Sequence, residues 1–245
     1  RSVSGTLRLG MPVTEKLHQQ VFYTYAQEET QISDSRLDPP NGNQDGIQGN
    51  WRSELSAALA PPFSPESWTK SGVGYQLTYR DLDNPRDPRE GYLLQFRQDF
   101  YGAGGDAQYV KTEGTAIGYL PISEEADIAG MLRARGGFNV AYGSEDAYRA
   151  QDNFYQGSRQ IRGFESYGFG PRDPITKDAL GGMYYWNATA EVSFPMPFLP
   201  ESMGVRGAIF ADAGQLWGVD SRSRGAIIAA NATTVDFNPA SIDDN

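Results

Sequence analysis

The sequence predicts an all-β fold, an antiparallel transmembrane β-barrel, on three observations. Apolar and polar side chains alternate at period two over repeated segments of about ten residues, as in a barrel wall with lipid on one side and a polar lumen on the other. With 28 Gly, 14 Tyr, 12 Phe and only 39% apolar residues, the chain is rich in turns and aromatics and short of material for a conventional buried core. No run approaches the roughly 18 consecutive apolar residues of a spanning helix, and the mean hydropathy of -0.54 agrees.

The strands follow in chain order. Val3 to Met11 and Val21 to Tyr25 are short alternating segments joined by a tight turn over Pro12 to Leu17. In the next, Val73, Tyr75, Leu77 and Tyr79 make an apolar face, while Gly74, Gln76, Thr78 and Arg80 make a small or polar one. Tyr92 to Phe100 repeats the pattern, and Val110 to Leu120 shows it weakly. After a turn over Ile122 to Ala126, Ile128, Leu132, Ala134, Phe138, Val140 and Tyr142 share one parity, with Arg133, Arg135 and Asn139 on the other. Tyr184, Trp186, Ala188, Ala190, Val192 and Phe194 would face lipid, leaving Asn187, Thr189, Glu191 and Ser193 inward; Val205 to Ala213 adds a segment with Arg206 and Asp212 inward. That makes eight strands, joined alternately by tight turns and by long polar loops, the arrangement of short periplasmic turns and long external loops.

An open sheet of this kind would expose unpaired edges and a broad apolar face to water. Closure in lipid removes both, and a closed barrel is the β solution in which every backbone amide finds a partner. A soluble barrel of the lipocalin kind would put its apolar residues inside. Residues 1–245 are thus expected to form one partial barrel domain with two long connections. Residues 30–69 carry Asn50 to Ala60, a candidate surface helix ended by Pro61 and Pro62, and residues 143–182 form the second. Asn238 to Asn245 reads as loop, and Arg1 to Met11 reads as strand where a signal peptide would show an apolar run, so an internal fragment is expected.

A net charge of -10 and a pI near 4.6 argue against nucleic acid as a partner, since no basic face could neutralise phosphates. The absence of Cys removes thiol chemistry, and the one His, His18, reads as an ordinary surface residue that builds neither a metal site nor a catalytic pair. No cofactor is expected.

The second connection contains Asn153-Phe154-Tyr155-Gln156-Gly157-Ser158-Arg159-Gln160-Ile161-Arg162-Gly163-Phe164, then Gly168-Phe169-Gly170-Pro171 and Gly181-Gly182. Downstream come Glu191-Val192-Ser193-Phe194-Pro195-Met196-Pro197 and Phe210-Ala211-Asp212-Ala213-Gly214-Gln215-Leu216-Trp217. These three ordered motifs resemble the BamA family of outer-membrane insertases of Gram-negative cells, in which a Val/Ile-Arg-Gly-Phe/Tyr loop tip folds back into the lumen. The resemblance implies that the strands are the sixth to thirteenth of a sixteen-strand barrel, with the POTRA domains and the seam strands outside this chain. It implies assembly of client outer-membrane proteins without nucleotide or cofactor, with the lipid bilayer, unfolded clients and accessory lipoproteins as partners.

The resemblance also assigns the loop-tip motif Ile161, Arg162, Gly163 and Phe164, and makes Glu191 and Asp212 the lumen partners of Arg162. Strand parity alone had already turned both carboxylates inward. A guanidinium can fork to carboxylates in a way that Lys does not reproduce; Gly163 would permit a sharp turn or close approach, and Phe164 would anchor the tip by burying its ring. Arg133 and Arg135 read as ordinary lumen polarity. The strand pattern alone supports a passive channel equally well, and a translocation or secretion barrel of the same superfamily shares the loop motif. An enzyme finds little support: a Glu191 and Asp212 dyad is conceivable, but a neighbouring Arg162 would hold both ionised.

Overall fold

The computed structural model describes residues 1–30, 55–60, 65–144, 147–196, 203, 205–231 and 242. Its strands are β1 (Ser2–Pro12), β2 (Leu17–Glu29), β3 (Ser67–Leu82), β4 (Gly91–Gly105), β5 (Tyr109–Ser123), β6 (Ile128–Ala141), β7 (Tyr184–Pro195) and β8 (Arg206–Trp217). Each pairs antiparallel with the next in one eight-stranded sheet ordered β1 to β8. No described helix is long and apolar enough to cross a membrane.

Register fixes the faces. Leu77 opposes Phe96, Leu94 opposes Ala116, Ala116 opposes Ala134, Ala134 opposes Ala188, and Ala188 opposes Ala213, so one apolar parity runs unbroken across the wall. Leu7, Tyr23, Val73, Phe96, Leu132, Trp186 and Ile209 on that parity are all exposed, as a surface solvated by lipid must be. The opposite parity carries Arg97, Asp99, Lys111, Glu113, Arg133, Asn187 and Asp212. Stacked pairs Tyr79 with Tyr92 and Tyr184 with Trp217 sit on the outer face at opposite strand ends, where amphipathic rings meet both membrane borders.

Two expectations about connections need correcting. Loops do not alternate strictly, because β4 and β5 are joined by the three residues 106–108 at the long-loop end. The expected helix over Asn50 to Ala60 lies partly outside the described residues, and its described part forms only a single 3-10 turn, Ala57–Leu59. That turn is fixed by the neighbouring loop. The Ser56 backbone N–H donates to Asp178 at 2.7 Å and its hydroxyl to Asp173 at 2.6 Å, bonds that compete with helical ones.

A helix that the strand pattern does not foretell, α1 (Ser221–Asn231), follows β8. The Asp220 carboxylate accepts the Ser223 N–H at 2.8 Å and so satisfies a first-turn donor. Its buried Ile227 joins Ala58, Leu180, Val219 and Ile242 in a small apolar core. This core draws the segment after β8 and both long connections into one cap over the long-loop end. Of the expected terminal loop Asn238 to Asn245, only Ile242 lies within the described residues.

Candidate functional site

The connection after β6 folds back along the polar face of the sheet. Phe154 and Gly182 exchange backbone hydrogen bonds of 2.9 Å, closing the loop at its neck. Phe154 packs edge-on to Tyr185 of β7 with ring centroids 4.6 Å apart, and Leu216 of β8 completes this cluster. Gln156 accepts from the buried Asn187 side chain at 3.1 Å. Beyond the neck, the N–H groups of Gln160 and Ile161 both donate to the Gly157 carbonyl, at 2.9 and 3.0 Å, and this turn presents the tip to β7 and β8.

At the tip the Arg162 guanidinium forks onto Asp212: Nε donates to Oδ2 at 2.7 Å and Nη2 to Oδ1 at 2.9 Å. Nη1 donates to Glu191 at 2.7 Å, and the Arg162 backbone N–H adds a bond of 3.1 Å to Asp212. The hydrogen bonds to Asp212, and next those to Glu191, raise the already high pKa of the guanidinium, so its charge is permanent. One arginine thus joins the loop to two adjacent strands through charge-assisted bonds.

The structure therefore brings Arg162, Glu191 and Asp212 together. Ile161 is 5% exposed and lies over Gly214 of β8, where a Cβ would stand 2.7 Å from its Cδ1. Gly163 has φ +94°, so it serves the sharp turn; space around it is open, and close approach to the wall is not its role. Phe164 departs from the expectation that it buries its ring. It is 43% exposed and packs edge-on against Phe169, at 5.3 Å between centroids. The buried apolar residue of the tip is Ile161, on the near side of the Gly163 turn, and Phe164 beyond it stays exposed.

Sequence reasoning missed two members of the site. The Phe210 ring lies beneath the Arg162 guanidinium, 3.3 Å from its carbon to the ring centroid, a cation–π contact, and Gly214 forms the seat of Ile161. Both share the parity of Asp212, so the alternation that turned Asp212 inward also held this signal. Arg133 donates to Thr189 at 2.9 Å, which ties it to the wall of β7. Between loop and wall lies a cavity of about 600 Å³ lined by Lys111, Glu113, Arg135, Gln156 and Asn187 among others. Among the described residues no three His, Cys, Asp or Glu side chains are grouped so as to hold a metal ion.

Residues 1–235 match the model of the Omp85 superfamily domain. The chain is 35% identical over 150 residues to the outer membrane protein assembly factor BamA of Neorickettsia risticii, covering 61% of this chain and 20% of that protein. It is 28% identical over 180 residues to the human sorting and assembly machinery component 50 homolog, covering 69% of this chain and 37% of that protein. The crystal structure of BamA from Haemophilus ducreyi lacking POTRA domains 1–3 superposes with a TM-score of 0.69 at 17% identity, over 97% of this chain and 44% of that one. This chain spans less than half the length of each of these proteins. The fold is thus that of a BamA-type barrel wall, the resemblance carried by the three motifs is borne out, and the chain belongs to the Omp85 superfamily.

Proposed function

We infer that this chain is the wall and lumen plug of an outer-membrane protein assembly factor, which folds and inserts client barrels without nucleotide and is not an enzyme. It sits in the outer membrane. Clients present unpaired strand edges whose backbone must be desolvated before it can pair, and a scaffold that offers a paired edge and a perturbed bilayer lowers that barrier. Accessory lipoproteins belong to the same proposal.

The observation that carries the reading is the bonding of Arg162 to Asp212 and Glu191. It commits loop mass to the lumen, where a passive pore needs open space, and it couples that loop to the wall strands β7 and β8. The test is insertion of an unfolded client barrel into liposomes holding the full-length protein, its Arg162→Ala variant, or no protein. Wild type is expected to accelerate insertion and the variant to lose most of that acceleration. No acceleration by wild type, together with free passage of small solutes, would replace this reading with a channel.

A further inference from the structure

A second set of charges lies at the root of the same loop, away from the tip. Arg149 is 1% exposed. Its Nη2 donates to the Glu28 carboxylate of β2, and its Nε donates to Asp152 at 3.3 Å. Lys70 of β3 bridges the same two carboxylates, at 2.5 Å to Asp152 and 2.9 Å to Glu28. Two cations and two carboxylates therefore alternate around one cluster, so the buried charges of Arg149 and Asp152 are each balanced by a partner.

The surroundings fix this cluster tightly. The Arg149 guanidinium lies over the Trp68 ring of β3 at 4.9 Å, and Trp68 is buried with Tyr109 and Tyr148. Asn139 of β6, fully buried, donates to the Tyr148 hydroxyl at 2.9 Å and to the Asp152 carbonyl at 3.0 Å. Tyr148 in turn donates to the Asn153 side chain at 2.5 Å. Removing one partner from such a cluster leaves an uncompensated buried charge, so the contact resists partial opening.

The two sets of charges grip different parts of the wall. The root holds β2 and β3 through the charges of Glu28 and Lys70 and β6 through the Asn139 bond to the Asp152 carbonyl, and the tip holds β7 and β8 through Glu191 and Asp212, while β4 and β5 lie between β3 and β6 in the sheet. Between Arg149 and Arg162 the loop is fastened at its neck to Gly182 and the β7 wall, so it transmits a displacement instead of absorbing it.

We propose that Arg149 and Asp152 are positioning residues that make the loop a strut across the lumen, fixing the separation of β2–β3 from β7–β8 and hence the curvature of the wall. A strut bears load only while both ends hold. Arg162 then works together with Arg149: its bond to Asp212 extends to β8 a loop whose root is fixed 13 residues earlier and whose neck is fastened to β7 between them. The inference concerns wall geometry and does not depend on the insertion activity.

The test is pulsed dipolar EPR on the full-length protein in bilayers, with spin labels on Cys introduced at Val21 of β2 and Ile209 of β8, both exposed on the outer face. Wild type is expected to give one narrow distance distribution. Arg149→Met and Arg162→Met are each expected to broaden it, and the double variant to be no broader than either single one, since a strut cut twice carries no less load than a strut cut once. Effects that add in the double variant would make the two sites independent local contacts and overturn the proposal, as would a narrow distribution in Arg149→Met. Should Arg149→Met fail to assemble, Glu28→Ala, which removes the β2 carboxylate that both Arg149 and Lys70 hold, carries the same comparison. Failure of both beside a folded Arg162→Met would show the root acting as a folding element alone, which also overturns it.

Discussion

A methyl group on Gly214 would stand 2.7 Å from Cδ1 of Ile161 and 2.8 Å from the Trp186 carbonyl oxygen, closer than real Cβ atoms approach, so Gly214→Val must displace the loop tip, the wall, or both. The tip is the softer body, being held by one buried side chain and one arginine. Gly214→Val is therefore expected to free residues 157–164 for cleavage in limited proteolysis while Arg162 is still present, and a loop as resistant as wild type would show that Ile161 is not an anchor. Arg162→Lys separates charge from shape at the same place. An ammonium keeps the charge but loses the fork onto Asp212 and the planar contact with Phe210, so its loop is expected to be cleaved at a rate between those of wild type and Arg162→Ala. Of these residues, the Arg162 triad was legible because parity and motif converge on it. Phe164 was misread because the direction a ring takes after a left-handed glycine is set by the turn, which no spacing encodes.

Elements were legible to the degree that lipid imposes alternation on them. β6 and β7 put Leu132, Phe138, Trp186 and Val192 outward against Arg133, Asn139, Asn187 and Glu191 inward, and their bounds are nearly those the pattern marks. β5 gave a weak signal because its outward positions include Thr112, Gly114, Ala116 and Gly118, which are small or polar and blunt the contrast. The same alternation makes a sharp prediction about neighbouring residues. Leu132 is 69% exposed on the outer face, so Leu132→Arg is expected to destabilise the folded protein in lipid by up to about 2–4 kcal/mol if it lies near the bilayer midplane. Arg133→Gln, one residue on and facing the lumen, should cost much less. Denaturant titration of both variants in vesicles checks this, and equal losses would contradict the assigned faces.

At the scale of the whole molecule the least legible feature is the cap, because the contacts that join its segments link residues far apart in the chain. Ser56 meets Asp173 and Asp178, and Ile227 meets Ala58 and Leu180; none of these segments has the periodicity of a wall strand, and α1 is too short to announce itself. The cap core is small, so a single buried side chain is a large share of it. Ile227→Ala removes three carbons from a fully buried site, a change that costs about 2–5 kcal/mol in well-packed cores. The wall strands hold one another through their ladders and do not depend on this core. The expected outcome in hydrogen exchange is therefore selective: amides of residues 56–60 and 173–180 lose protection, while those of β3 to β7 keep it. Faster exchange spread through the strands would mean instead that the cap stabilises the wall, and the loop strut would then be only one of two devices that hold its shape.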